Sequence, residues 1–243
     1  MPAMRLVVSG VCSSLVALGF VTPSPAQSTS PSAEPIPASE VKYRHPILET
    51  SRFTAYLLEI PPHHATLMHR HDRDILSVFV SGAKTTSTFQ GREPVTDAIP
   101  SGESRFRSTG FTHATRNDDT IVFRSVILEF TQPQGAIRAQ SDERRYCNEG
   151  SLTACVTEKQ QLCTERFCVT EIHMAPGAIR KTSADAAGYA LIAVNDCELS
   201  IRAHDLASVR AYRSGDIQDL ELASTSWKNS GHTEAHVVVV NFR

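Results

Sequence analysis

The sequence carries almost no net charge: 24 Lys and Arg stand against 26 Asp and Glu, a formal −2. Nothing global therefore draws the chain to nucleic acid or to an anionic membrane surface. Sustained helical periodicity is scarce, which turns attention to strands. The one long apolar run, Leu6 to Val21, is shorter than the roughly 20 residues a membrane span requires. Hydrophobic content of 41% and charged content of 21% exclude a disordered chain and little else.

The apolar run fits another role. Arg5 precedes it, and Thr22-Pro23-Ser24-Pro25-Ala26 follows, with small residues at the places before a cut after Ala26. That is the layout of a secretory leader over residues 1–26, an uncleaved anchor being the alternative. A lipid anchor on Cys12 would need a small residue in front of it, and Val11 stands there. Residues 27–42 open rich in Ser, Pro and Ala and read as a tether with nothing to bury. The expected location is the periplasm or the exterior, with no membrane span once the leader is removed.

Export changes the reading of the cysteines. Beyond Cys12 the chain has Cys147, Cys155, Cys163, Cys168 and Cys197. In an oxidising compartment these favour disulfides over metal ligation. Cys147 with Cys155 and Cys163 with Cys168 could each close a short loop, although spacing does not fix connectivity. An odd number leaves one thiol free or paired between chains, and Cys168 and Cys197 could instead fill core positions.

What is abundant is short β-branched or apolar runs between Gly, Pro, Ser and Asp: Phe53 to Ile60, Ile75 to Val80, Ile121 to Phe130, Tyr189 to Val194 and Ala235 to Phe242. Such spacing predicts an all-β sandwich or barrel. The runs also repeat. Arg52-Phe53 matches Arg166-Phe167, Ile75 to Val80 falls on Tyr189 to Val194, and Ser101-Gly102-Glu103 matches Ser214-Gly215-Asp216. Asn117 then matches Asn229, and the closing runs coincide at Phe130 and Phe242. Order and spacing hold over about eighty residues, the signature of a duplicated unit. The expected organisation is a first repeat over 43–131, a cysteine-containing connector over 132–165 and a second repeat over 166–243. Trp227, the only tryptophan, is expected at the junction of the halves.

The first repeat carries His69-Arg70-His71, and alternate residues on a strand project to one face. Gly110-Phe111-Thr112-His113 and Asn117 follow downstream, so a third imidazole from a distant strand could complete one face of a coordination sphere. These residues resemble the two motifs of the cupin superfamily. His69, His71 and Gly82 stand at the places of the first motif, and Gly110, His113 and Asn117 at those of the second. The resemblance covers 52–130 with motifs and reaches 166–243 only through the repeat. It implies two tandem jelly-roll barrels, a bicupin, with a divalent metal inside the first.

The departures are informative. The motif glutamate position is Ile75, which cannot ligate. Asp74 is adjacent and would face away on a regular strand, unless a bulge re-aims it. Ser108 replaces the proline before the second motif. Three histidines with open positions resemble the iron-dependent thiol and diketone dioxygenases more than the oxalate enzymes, which add a glutamate. Fe(II) is thus favoured over Zn(II), Mn(II) or Ni(II). In the second repeat the ligand positions fall on Ser183, Asp185 and a place near Thr225, so the site is lost. His232, Glu234 and His236 alternate and could share a face, either holding a second metal or forming a solvated surface. His63 and His64 lie in an expected turn, and His45 and His204 have no assigned role.

A metal held by neutral imidazoles keeps its full charge and favours an anionic ligand. Arg105, Arg107 and Arg124 are candidates for holding a carboxylate, and Phe79, Phe106 and Phe123 for lining a pocket. The partner is expected to be a small molecule, with homodimerisation usual for such barrels. Two readings stay open: a dioxygenase-type oxidoreductase, and a non-catalytic small-molecule-binding bicupin. A third, weaker one is a structural or surface role with neither metal nor enclosed pocket.

Overall fold

The computed structural model describes residues 34–138, 142–181, 187–203, 206–220 and 224–243. The leader, most of the tether, Ser183, Asp185 and His204 lie outside the described residues, as does the side chain of Thr225. Apart from the one-turn 3-10 helix Ala38–Glu40, the regular structure of the described residues is all strand, and they fold as two jelly-roll barrels.

In the first barrel one sheet runs in the order Arg44–Glu49, Phe53–Ile60, Phe123–Phe130, Ile75–Phe79, Ser104–Arg107. The facing sheet runs Ile36–Pro37, His69–His71, Phe111–Asn117, Ala83–Phe89, Val95–Ile99. The second barrel repeats this order. Its first sheet runs Asp142–Cys147, Cys155–Cys163, Phe167–Met174, Ala235–Phe242, Gly188–Ala193, Ile217–Leu220, and its other sheet runs Ile179–Lys181, Ser224–Asn229, Cys197–Ala203, Leu206–Tyr212. Apart from one added edge strand in each copy, the two topologies coincide.

The long apolar runs have a simple cause. Strands at the centre of the large sheets are buried on both faces, so they lose the usual polar alternation. On Phe123–Phe130, Phe123 and Ile127 face the interior of the first barrel, whereas Val126, Leu128 and Phe130 face outward. The outward set meets Phe167, Val169, Ile192, Val238 and Val240 of the second barrel in one continuous core. Phe130 stacks on Phe167 at 5.0 Å, and Phe106 meets the same ring edge-on at 5.7 Å. Each such phenylalanine contributes about 1.5–3 kcal/mol by burial.

The repeated polar residues are turn fasteners. Asn117 Nδ2 donates to the carbonyls of Ile60 and Ile121, while its Oδ1 accepts from the Asp119 N–H. Asn229 does the same with Met174, Thr233 and Gly231. Both are fully buried, where an unbonded amide would be costly.

Several boundaries differ from the sequence reading. Ile36–Pro37 pairs in parallel with His69–Arg70, and Ala38 and Val41 are buried. The end of the supposed tether therefore belongs to the first barrel. The supposed connector supplies Asp142–Cys147 and Cys155–Cys163 to the second barrel's sheet, in register with Phe167–Met174. Cys147–Cys155 and Cys163–Cys168 form disulfides, each between residues directly opposite in the ladder, and Cys197 is a free thiol. Trp227 is not at the junction: strand alternation turns it into the second barrel, where it is fully buried and meets Tyr189 edge-on.

Candidate metal centre

The strand His69–His71 buries its first and last side chains and exposes Arg70, as the period of two dictates. His113 lies directly opposite His69 on the neighbouring strand. One ring nitrogen from each of His69, His71 and His113 lies within 4.8 Å of the other two. The Nε2 atoms of His71 and His113 are 3.2 Å apart. Two nitrogens on one metal at about 2.0–2.1 Å stand about 3.0 Å apart in octahedral and about 3.4 Å apart in tetrahedral geometry. The spacing fits one shared ion.

The protonation states fit as well. Burial first, then the neighbouring histidines and Arg44, push His71 down to about 2. Burial, His69 and Arg107 push His113 down to about 3, and burial lowers His69. The lone pairs are therefore free at neutral pH. His69 Nδ1 donates to the Leu67 carbonyl at 2.8 Å, which leaves Nε2 bare and fixes the ring, as is usual for metal-binding histidines. The rings of His71 and His113 are instead clamped by stacking on Phe111 at 4.7 Å and Phe89 at 5.5 Å.

The histidines line a cavity of about 70 Å³ inside the first barrel, walled by Ile75, Phe79, Phe123 and Ile127 on its apolar side. This is room for a small molecule rather than a polymer. Among the described residues no Asp or Glu lines it. Asp74, the possible fourth ligand, is turned away: its two oxygens accept from the backbone N–H groups of Thr109 and Gln134, each at 2.8 Å. No bulge re-aims it, and Ile75 faces the cavity in its place.

The three arginines separate. Arg107 lines the cavity, lies over the Phe89 ring at 4.6 Å and has no carboxylate partner among the described residues. Arg105 also lines it, but its guanidinium is engaged by Asp97 at 2.9 Å and Glu103 at 2.6 Å. Arg124 is not at the site. It follows Phe123, which faces inward, so alternation sends it outward to Glu59 and to Ser214 of the second barrel. Phe106 is excluded for the same reason: Arg105 and Arg107 occupy the inner face, and Phe106 packs between the barrels. Phe79 and Phe123 do line the cavity.

Sequence reasoning missed Arg44. This buried residue reaches the cavity, lies 3.7 Å over the Tyr56 ring and pairs with Glu129 at 3.4 Å. Its Nε and Nη1 have no hydrogen-bond partner. Only the register of Arg44 against Leu58 reveals that it faces inward.

The remaining histidines sort by position. His64 is an exposed turn residue whose Nδ1 bonds the Pro62 carbonyl, and His63 holds a left-handed turn conformation with φ 60°. His45 is exposed on an edge strand. His232 and Glu234 precede the strand Ala235–Phe242 and are exposed, so they do not form the expected face with His236. His236 instead joins Glu171 and His173.

No family model and no curated protein matches the sequence. Solved structures do, and they are cupin proteins. AerE from Microcystis aeruginosa is similar with a TM-score of 0.57 and 10% identity, over 84% of this chain and 98% of that one. Oxalate decarboxylase from Lactobacillus farciminis, solved as a formate complex, gives 0.55 and 10% over 79% and 77%. Salicylate 1,2-dioxygenase from Pseudoaminobacter salicylatoxidans, solved with gentisate, gives 0.51 and 10% over 79% and 68%. At such identities the likeness carries the fold: this chain has the double-barrel architecture of the bicupins. No helix among the described residues is long and apolar enough to cross a membrane.

Proposed function

We propose that the chain is an exported metalloprotein. It binds one divalent first-row ion, Fe(II) by preference, through His69, His71 and His113, and acts as a dioxygenase-type oxidoreductase on a small carboxylate. The observation that carries this reading is the convergence of three neutral imidazoles, two buried and one half-buried, on a cavity with an apolar wall that Arg44, Arg105 and Arg107 also line. When bound, the metal would supply Lewis acidity and access to dioxygen chemistry. The chain's own residues would do the rest. Arg44 presents two unpartnered donors and Arg107 an unpaired charge to an anionic ligand. The phenylalanine and isoleucine walls exclude water. No lining carboxylate competes for the ion or repels the substrate.

Export is supported by the leader-like N-terminus and by two disulfides, which persist in oxidising compartments. A second reading, a binding protein without turnover, is favoured by the lack of any acid or base in the cavity other than the ligating histidines. Metal content of untagged protein purified from the periplasm, measured by plasma mass spectrometry, tests the first step. About one equivalent of iron, lost in His113→Ala, supports the assignment. Oxygen uptake with a carboxylate substrate then separates enzyme from binder. Metal content unchanged in His113→Ala would overturn the site.

A further inference from the structure

A second cluster lies on the opposite side of a sheet from any barrel interior. Glu171 and His173 sit two apart on Phe167–Met174, and His236 is directly opposite His173 on Ala235–Phe242. Their neighbours Ile172 and Val237 point into the second barrel, so the three project toward the first. There a turn of the first barrel closes over them. Gly102 has φ +86°, and an added Cβ would collide with the Glu171 carboxylate and the His236 ring.

We propose that Glu171, His173 and His236 form a second divalent-metal site, a zinc-type site at the joint between the barrels.

One atom from each residue lies within 4.8 Å of the others. Glu171 Oε1 is 2.9 Å from His236 Nε2 and 3.6 Å from His173 Nε2, spacings close to the roughly 3.0–3.4 Å between atoms that share one ion. Each of two ligands is oriented from behind. Glu234 Oε1 accepts from His173 Nδ1 at 2.9 Å, which frees Nε2; a carboxylate behind a ligating histidine is a recurrent support of metal sites. Gln161 Nε2 donates to Glu171 Oε2 at 3.0 Å and to the Gly102 carbonyl at 2.8 Å, which leaves Oε1 to face the histidines. Two histidines and one carboxylate suit a first-row divalent ion with an open position.

The duplicated fold supplies an independent argument. The register that pairs His173 with His236 pairs Glu59 with Arg124 in the first barrel. There the Arg124 guanidinium bonds Glu59 at 3.0 Å and the Ser214 carbonyl at 3.0 Å, beside Gly215. That joint therefore has a fixed cation under the glycine turn. The second joint has two carboxylates, Glu171 and Glu234; Lys159 stands opposite Glu171 in the ladder, but among the described residues no lysine or arginine lies within ion-pair distance of Glu171. In the absence of an ion His173 and His236 bond Glu171 directly; a bound cation would take the place that the Arg124 guanidinium holds in the twin joint.

The test is zinc stoichiometry on the full protein, stripped with chelator, reloaded with zinc chloride and desalted. Wild type should hold two equivalents, His113→Ala one, His173→Gln/His236→Gln one, and the triple variant none. Glu234→Gln, an exposed change that spares the fold, should weaken zinc at this site about 10- to 100-fold when assayed in the His113→Ala background. One equivalent lost only on His173→Gln/His236→Gln would support the joint site while sinking the cavity site. Zinc that tracks His113 alone, or a zinc-free His113→Ala protein, would overturn this proposal. A zinc affinity unmoved by Glu234→Gln in that background would also count against it.

Discussion

The sharpest test of the cavity is Arg44→Met. Arg44 spends one side of its guanidinium on Glu129 and the Tyr56 face, and leaves Nε and Nη1 buried without partners. Two opposed effects on stability follow. Removing the cation strands Glu129, at about 1–3 kcal/mol, and removing two unsatisfied donors returns a similar amount. The melting temperature should therefore move little. Binding should not be spared. A hydrogen bond from a charged donor contributes about 1.5–3 kcal/mol, so the affinity for a small carboxylate should fall about 10- to 150-fold. Calorimetric titration of the metal-loaded protein with a panel of small mono- and dicarboxylates reads this directly. Arg124→Met is the control: it should leave carboxylate affinity unchanged, since Arg124 lies at the barrel joint. The reasoning is refuted if no carboxylate binds, if Arg44→Met binds as wild type does, or if Arg124→Met is the variant that loses affinity.

Other consequences concern the scaffold. Glu158 is buried against Arg180 Nε at 2.7 Å, Tyr146 at 3.0 Å and Arg144 Nε at 2.8 Å. Burial alone would raise its pKa, but Arg180, Arg144 and Tyr146 outweigh it and hold the carboxyl below its ordinary 4.5. Its contribution is then full above about pH 4.5 and lost as pH falls through the lower folded value; urea unfolding from pH 7 to 3 should show that slope, flattened in Glu158→Gln. Breaking either disulfide, which span separations of 8 and 5 residues, should cost about 2–3 kcal/mol by loop-closure entropy, measured by chemical denaturation. Cys197→Ser should not, and the native Cys197 thiol, pushed up to about 11 by burial and by Asp196 and Asp216, should resist alkylation at pH 8. Trp227→Thr should destabilise by about 3–5 kcal/mol while leaving zinc stoichiometry intact, because Trp227 belongs to the second barrel's core and to neither histidine cluster.

Much of this was readable in the sequence because duplication exposes it. The paired runs, the Ser-Gly-acid turns and Asn117 with Asn229 marked the register, and the His69, His71 and His113 spacing marked the site. What escaped has physical reasons. Asp142–Cys147 is a solvated, polar edge strand, and Cys155–Cys163 beside it carries the polar stretch Thr157 to Gln161, so their composition resembles that of a connector. Arg44 faces inward by register, not by composition. Residue type alone does not place Arg124 and Phe106: each neighbours a residue on the cavity side, and strand parity turns it away from the cavity. Glu171 and His173 lie far from His236 in sequence, and only the strand pairing joins them.

The two barrels share a topology and diverge inside, and the register shows how. Arg44 pairs with Leu58 as Glu158 is paired with Ile172, so the position that offers an unpartnered cation in one barrel holds a carboxylate satisfied by three donors in the other. Trp227, over which Arg180 lies at 4.8 Å, occupies space that the first barrel leaves open beside Thr115. At these two positions the second barrel places core side chains where the first lines a cavity. It is needed for another reason. The outer face of the first barrel's large sheet presents Phe53, Leu76, Val78, Val126, Leu128 and Phe130, an apolar surface that would drive aggregation if uncovered. Phe167, Val169, Ile192, Val238 and Val240 of the second barrel cover that face. The two barrels are therefore complementary: the first carries the histidine cluster and its cavity, and the second covers the sheet behind them.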